Sequence, residues 1–210
     1  EAVSRPALRK TVFGFMPYWK VADLTRVKWD LLSHVAYFSV DLGADGSVTN
    51  QTGSYAWPSG AYVAALRDAA RAAGVKVVLT ATNMTGTSIA SLLGSAAARQ
   101  AAISNLVALV QGSGDGLNVD MEGVPASQRE NLVTFVKDLA QAMHAAVPGS
   151  HLSICTPAVL NTPLLVMNAK LPSISPITSS WVNSFLPLNI CSASWGRNLR
   201  RSLASDSVNA

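Results

Sequence analysis

Apolar residues in the first 159 positions follow two periods, and the two periods alternate along the chain. Continuous apolar runs predict buried strands at residues 12–18, 34–40, 75–82, 117–121 and 152–157. Apolar residues at helical spacing predict helices at residues 62–73, 88–93, 96–110 and 132–147. Ser127, followed by Glu130 three residues later, is typical of a capping box that starts the last of these helices.

This alternation predicts an α/β fold made of βαβ units around a parallel sheet. The strands are apolar almost throughout rather than alternating, which is typical of parallel strands buried on both faces. The pattern ends after residue 159. Residues 160–210 contain 10 serines and four of the ten prolines, and no helix or strand is predicted there. We therefore divide the chain into residues 1–159 and an atypical C-terminal tail, residues 160–210.

Composition excludes several classes of protein. Hydrophobic residues make up 49% of the 210 positions and charged residues 13%, which excludes a disordered chain. The longest apolar runs fall well short of the roughly 18 residues of a membrane span, so no span is predicted. The formal net charge is +4, with no basic stripe carrying interleaved aromatics, so no nucleic-acid partner is predicted.

The two cysteines, Cys155 and Cys191, belong to no metal-ligand motif, so no metal and no cofactor are predicted. Two free thiols are the preferred interpretation, and a disulfide between them stays open. The first residue is Glu1 rather than Met, which fits either a processed export product or a trimmed chain.

The candidate chemistry lies on the fourth predicted strand. Asn118, Asp120 and Glu122 are two residues apart, so on a strand they share one face, while the apolar residues between them face the other way. Burying unpaired carboxylates inside a flat two-sided sheet is very costly. The pattern instead predicts a strand that lines a barrel whose carboxyl end opens to a cleft, with Glu122 at the mouth.

Two neighbouring carboxylates raise each other's pKa, which can keep one of them protonated as a general acid. The structural alternative is a helix-capping or salt-bridging cluster at a strand end. A Ser-His-Asp hydrolase is not indicated, because the nucleophile-elbow motif is absent.

The acidic segment at residues 115–122 resembles the DxxDxDxE signature of glycoside hydrolase family 18, the chitinase and peptidoglycan-hydrolase family. Asp115, Asp120 and Glu122 match it, and Asn118 stands where many chitinases have Asp. Residues 12–19, 34–38 and 152–158 are similar to the family's first, second and fifth strands. Residues 78–83 lack its SxGG pattern, which together with Asn118 looks more like the bacterial cell-wall and spore-cortex branch.

The resemblance covers residues 11–159 and implies a partial TIM-type (β/α)8 barrel of about five parallel strands. It implies hydrolysis of N-acetylglucosamine polysaccharide, chitin or peptidoglycan, by substrate-assisted acid catalysis. Glu122 would donate the proton, Asp120 would orient the substrate's acetamido group, and Asn118 would hold Asp120 by a hydrogen bond. A polymer substrate of this kind implies a secreted or cell-wall-associated protein.

The resemblance also implies substrate-binding residues. Asp115 belongs to the acidic signature and is placed among them. Tyr18, Trp19 and Tyr37 are candidates for stacking on sugar faces, although each also fits a partly buried core position. A non-catalytic glycan-binding module and a truncated barrel with another hydrolytic activity, such as an esterase, remain alternatives.

The tail departs from the family, whose sixth strand carries a Tyr that helps to hold the N-acetyl group. From Lys170 to Val182, the third base of each codon with the first two of the next can spell a string that resembles the approach to that strand. We therefore hypothesise that residues 160–210 are a frame-shifted translation of a barrel gene. A barrel cut after five strands has two open edges, which predicts a homo-oligomer formed through them.

Overall fold

The computed structural model describes residues 8, 10–155 and 175–177. Its strands are β1 (Phe13–Pro17), β2 (His34–Leu42), β3 (Val48–Thr49), β4 (Lys76–Asn83), β5 (Gly116–Met121), β6 (His151–Cys155) and β7 (Ser175–Ile177). Its helices are α1 (Ala61–Ala72), α2 (Gly86–Gly94), α3 (Ala96–Val110) and α4 (Arg129–Ala146). The five predicted strands and four predicted helices are confirmed, with shifts of a few residues at their ends.

Six strands form one parallel sheet in the order β1-β2-β4-β5-β6-β7, and β3 pairs antiparallel with the end of β2. The predicted α/β class is therefore confirmed. The predicted capping box is wrong. A 3-10 turn, Ala126–Gln128, precedes α4, which begins at Arg129 without a side-chain cap.

The sheet curls strongly. A flat sheet would hold β1 and β6 about 19 Å apart, because four strand spacings of about 4.8 Å separate them. Instead the ring of Phe13 on β1 lies 5.4 Å from the ring of His151 on β6, centroid to centroid. Among the described strands, β1 and β7 do not pair with each other, so the sheet is a partial, open barrel.

Helices pack on the outer face of this curved sheet and form the main core. Leu117, Val119 and Met121 of β5 are buried there with residues such as Leu106 of α3 and Phe135 of α4. The other face of each strand lines the inside of the barrel. This is the arrangement that the apolar pattern of the strands predicts, since both faces are covered.

Sequence reasoning predicted no strand after residue 159, yet Ser175–Ile177 pairs with β6. Three residues are too short to show a period, and the central Pro176 argues against a strand on sequence alone. The pairing with β6 is what makes this segment a strand. The rest of the predicted tail, with Cys191 and the frame-shift hypothesis, lies outside the described residues.

Candidate active site

The candidate site lies on the inner face of β5. Asn118 is fully buried and Asp120 is 5% exposed, and both alternate with apolar residues that join the outer core. The predicted assignment of faces is therefore confirmed for Asn118 and Asp120, whose side chains point into the barrel.

Glu122 follows directly after β5 at the carboxyl end of the sheet. Its N–H donates to the carbonyl of Asn83 at 3.1 Å, which extends the pairing of β5 with β4 by one residue. Gly123 then adopts a φ of +80°, a left-handed conformation that favours glycine and turns the chain away. The half-buried Glu122 therefore lies about 6.6 Å along the strand from Asp120, beside the opening of the barrel.

The environment of Asp120 favours its neutral form. Burial, followed by the negative charge of Glu122, raises the pKa of Asp120 to about 6, and the opposing effect of the nearby Cys155 thiol is smaller. Its Oδ1 atom is buried and accepts no hydrogen bond from the described residues. This oxygen is therefore available to a donor from a bound molecule.

Asn118 does not hold Asp120, which corrects the role that the resemblance implied for it. Asn118 Oδ1 accepts a hydrogen bond from Ser153 Oγ at 2.9 Å, and Asn118 Nδ2 donates to Cys155 Sγ at 3.5 Å. The amide is therefore turned along the barrel wall toward β6. The register of β5 with β6 places Ser153 directly beside Asn118, so tertiary pairing chose this partner.

Two threonines on β4 form the other wall of the site, and sequence reasoning missed both. Thr82 pairs in register with Asp120, and its hydroxyl donates to Asp41 Oδ1 at 3.0 Å and lies 3.1 Å from Ser39 Oγ. Thr80 is fully buried, and its hydroxyl has no hydrogen-bond partner among the described residues. In sequence these residues look like ordinary β-branched strand residues, and only the strand order shows what they face.

Two of the predicted aromatic residues reach the carboxyl end of the sheet. Tyr18 and Trp19 lie in a 3-10 turn directly after β1. Trp19 is 39% exposed, and its ring meets Tyr18 edge to face with centroids 4.9 Å apart. The ring of Trp19 also meets the ring of Phe38 edge to face, with centroids 6.4 Å apart. Trp19 therefore presents an exposed aromatic surface at this end of the barrel.

Tyr37 does not lie where it could stack on a sugar, so its predicted role is wrong. It is fully buried on the helix-facing side of β2, where its ring stacks on Trp57 at 5.8 Å. Its hydroxyl donates to the carbonyl of Tyr55. Tyr37 belongs to the core and is out of reach of a sugar in the barrel, because successive strand residues point to opposite faces.

Asp115 does not lie at the predicted substrate site either. It precedes β5 at the amino end of the sheet, five residues and about 16 Å of strand before Asp120. Its Oδ2 atom accepts a hydrogen bond from the backbone N–H of Val77 at 2.8 Å. Asp115 therefore joins β4 to the start of β5 and does not line the carboxyl-end cleft.

Among the described residues, no three His, Cys, Asp or Glu side chains are grouped so that they could hold a metal ion. No single helix in the described ranges is long and apolar enough to cross a membrane. The α2–α3 pair, bent by 100°, passes that test by length and composition alone.

Comparison with known proteins gives a match in structure but not in sequence. No family model and no curated protein matches the chain. A chitinase from Bacteroides thetaiotaomicron matches with a TM-score of 0.66 and 16% identity, over 80% of this chain and 53% of that one. A mutant GH18 chitinase from Cycas revoluta in complex with (GlcNAc)4 matches with a TM-score of 0.61 and 21% identity, over 79% and 54%.

The spore cortex-lytic enzyme SleL of Bacillus cereus matches with a TM-score of 0.55 and 18% identity, over 69% of this chain and 35% of that one. The chain thus spans about half, or less, of the length of these solved structures. The described residues share the fold of these chitinases, and their sheet corresponds to a partial, open TIM-type barrel.

Proposed function

We propose that the protein is a glycoside hydrolase that cleaves N-acetylglucosamine-containing polysaccharide, either chitin or peptidoglycan. The observation that carries this proposal is a pair of neighbouring carboxyl groups at the carboxyl end of a barrel strand, Asp120 on the inner face of β5 and Glu122 directly after it. The fold supports it, because its structural neighbours include chitinases and a spore cortex-lytic enzyme. One of these neighbours binds (GlcNAc)4.

In the proposed mechanism, Glu122 acts as the general acid. It transfers its proton to the glycosidic oxygen as the bond from that oxygen to the anomeric carbon breaks. The carbonyl oxygen of the substrate's own N-acetyl group forms the new bond to the anomeric carbon. Substrate assistance of this kind replaces a protein nucleophile.

Asp120 supports the same step from inside the barrel. Its unpartnered Oδ1 atom can accept a hydrogen bond from the acetamido N–H, which orients the carbonyl for attack. The negative charge of ionised Asp120 stabilises the positive charge that develops on the oxazolinium. In the second step, water attacks the anomeric carbon, the bond from that carbon to the acetamido oxygen breaks, and the water gives its proton to the Glu122 carboxylate, which restores the enzyme.

Substrate binding is proposed at the aromatic surface beside the cleft. Trp19 and Tyr18 follow β1 at the end of the barrel where Glu122 lies. The exposed part of Trp19 is a flat apolar surface that can cover the C–H face of a pyranose ring, while the hydroxyl of Tyr18 supplies a polar edge. Together these residues would hold a sugar next to the two carboxyl groups.

The proposed substrate indicates where the protein acts. A polysaccharide substrate of a cell wall places the protein outside the cell or in the wall. The described sheet has β1 and β7 at its ends, and open edges pair with other strands, so we propose a homo-oligomer joined through them. Light scattering at micromolar concentration would contradict this if it gave the mass of one chain.

The decisive experiment compares the parent with Glu122→Gln on N-acetylglucosamine oligomers and on purified peptidoglycan. We expect the parent to cleave and the variant to lose about 10²–10⁴-fold in kcat, since the amide cannot donate the proton. Ser127→Ala, in the turn before α4, is the matched control and should leave turnover unchanged.

Other outcomes would overturn the proposal. Glycan binding without turnover by the parent would identify a binding module. Turnover of a nitrophenyl ester that survives Glu122→Gln would identify a different hydrolytic activity on this barrel.

A further inference from the structure

Four aromatic side chains form a continuous series of ring contacts at the carboxyl end of the barrel. The ring centroids of Trp19 and Tyr18 are 4.9 Å apart, and the ring of Tyr18 lies 6.1 Å from that of Tyr55. Tyr55 in turn lies 5.2 Å from Tyr62. We call Trp19, Tyr18, Tyr55 and Tyr62 the aromatic row. The proposed sugar surface accounts for Trp19 and Tyr18, and it leaves Tyr55 and Tyr62 without a role.

The aromatic row extends from the mouth of the barrel to the helix layer. It starts with Tyr18 and Trp19, directly after β1. It continues through Tyr55, in the 3-10 turn before α1, to Tyr62 in the first turn of α1. Because α1 connects the parallel strands β2 and β4, its first turn lies at their carboxyl end, where Glu122 also lies. The row is therefore continuous with the proposed site and extends outward from it.

The local backbone fixes the outer half of the row. The N–H of Gly60 donates to the carbonyl of Ala56 at 2.7 Å, and a Cβ atom on Gly60 would lie 2.6 Å from the carbonyl of Ser54. The missing side chain thus lets the turn that carries Tyr55 pack directly against the start of α1. The carbonyl of Tyr55 also accepts a hydrogen bond from the buried Tyr37 hydroxyl. Rings held in this way lose little conformational entropy when a ligand binds.

Exposure and charge indicate what kind of ligand fits the row. Trp19 and Tyr62, at its two ends, are each 39% exposed, and the two tyrosines between them are half-buried. None of the four side chains carries a charge at neutral pH. Each ring has an apolar face, and tyrosine adds a hydroxyl at the edge, which complements the C–H face and the hydroxyl rim of a pyranose. The ring spacing is comparable with the length of one sugar in an extended chain, so successive sugars can contact successive rings.

We propose that the aromatic row binds the outer sugars of the glycan chain that is cleaved at Asp120 and Glu122, with Tyr62 as the farthest contact. This inference deepens the proposed function and rests on it for the identity of the glycan. A short oligomer bound at the two carboxyl groups ends before it reaches Tyr62, whereas a longer chain contacts the whole row. Affinity should therefore rise with chain length until the chain covers Tyr62.

The first test is NMR of ring-labelled tyrosine in the Glu122→Gln variant, which keeps the oligomers intact. The chain has four tyrosines, and each signal is assigned by its loss in the corresponding phenylalanine variant. The N-acetylglucosamine disaccharide should shift the signal of Tyr18 and leave that of Tyr62 in place. A long oligomer should shift the signals of Tyr18, Tyr55 and Tyr62. The fully buried Tyr37 is the internal reference and should not move with either ligand.

The second test is calorimetric titration of the parent and of variants at the outer end of the row. Tyr62→Ala should weaken binding of the long oligomer about three- to tenfold, the loss of one aromatic contact, and leave binding of the disaccharide unchanged. Tyr62→Trp keeps an aromatic ring at this position and should restore the affinity. Leu31→Ala, at an exposed apolar position of the amino end, is the matched control and should change neither affinity. Near-ultraviolet circular dichroism checks the fold of each variant.

Several outcomes would overturn the inference. One is an unmoved Tyr62 signal with the long oligomer, and another is the same affinity for that oligomer in parent and Tyr62→Ala. An equal loss of affinity for the disaccharide in Tyr62→Ala would indicate a merely structural role, and no binding of any oligomer by the parent would exclude these glycans. Binding without turnover overturns the proposed cleavage alone, because the dependence on chain length still decides the role of the row.

Discussion

The two ends of the barrel interior bury ionisable groups with opposite consequences. At the amino end, the rings of His34 and His151 lie 4.6 Å apart, beside Phe13. At the carboxyl end, Asp120 lies next to Glu122. The pKa of His151 is lowered to about 4 and the pKa of Asp120 is raised to about 6, and burial is the largest cause of both shifts.

Burial favours the neutral form of each group, but the neutral form of histidine has lost a proton and that of aspartate has kept one. The amino end fills its interior with the contacting rings of Phe13, His34 and His151, and Gly116 allows β5 to approach the backbone of His151 closely. The carboxyl end keeps a carboxyl oxygen without a partner among the described residues. Among the described residues, each end therefore buries a polar atom without a hydrogen-bond partner: Nε2 of His151 lies among aromatic rings, and Oδ1 of Asp120 lies in a wall of hydroxyl and amide groups.

The largest expected contrast is between two aspartates on the same segment. Asp120→Asn should lower kcat/KM about 10²–10³-fold, because it removes a charge that stabilises the transition state. Its midpoint of thermal unfolding at pH 7.5 should not fall, since burying a neutral amide costs less than burying a carboxylate.

Asp115→Ala is the control from the amino end. It removes the acceptor of the Val77 N–H and should cost about 1 kcal/mol in the free energy of unfolding, with turnover retained. Turnover assays and urea unfolding of both variants measure this contrast. Loss of turnover in Asp115→Ala with a stable fold would restore its assignment to the substrate site.

A smaller contrast compares exposed apolar side chains at the two ends. Trp19 is 39% exposed at the carboxyl end, and Leu31 is 57% exposed in the 3-10 turn before β2, at the amino end. Trp19→Ala should weaken binding of N-acetylglucosamine oligomers about tenfold, the loss of roughly 1.4 kcal/mol of contact. Leu31→Ala should leave binding unchanged. Calorimetric titration of both variants checks this, and equal affinities would remove Trp19 from the proposed sugar surface.

The smallest expected effect is on the pH dependence of stability. Between its unfolded pKa of about 3.9 and its folded pKa of about 6, Asp120 holds a proton in the folded chain alone, so acidification from pH 7 to pH 5 stabilises the fold. The pKa of His151 is about 6.5 in the unfolded chain and about 4 in the folded chain. Between these two pH values His151 holds a proton in the unfolded chain alone, so the same acidification destabilises the fold.

Single variants should separate these opposing contributions, each about 1 kcal/mol after allowance for the solvent near the histidine. Asp120→Asn should lose more stability than the parent between pH 7 and pH 5. His151→Leu should lose less over the same interval, whatever its absolute stability. Urea unfolding at the two pH values measures both, and parallel pH dependences in the two variants would contradict the comparison.

Sequence reasoning found the strands, the helices and the polar face of β5, but it gave Asn118 the wrong hydrogen-bond partner. The period of two along β5 is local, so the common face of Asn118 and Asp120 could be read directly from the sequence. The partner of Asn118 could not, because it depends on the register between β5 and β6, which come from segments 35 residues apart. Tyr37 fitted either a core or a surface position until its face was known.

The sequence by itself determined the alternation of strands and helices, the α/β class, and the pair of carboxyl groups at a strand end, because each of these follows from local spacing along the chain. Only the tertiary structure decided that β7 joins the sheet and that Asp115 lies at the opposite end from the site. It also decided that Asn118 contacts Ser153 and Cys155 of β6. These contacts depend on strand order, register and curvature, which bring together residues far apart in the chain.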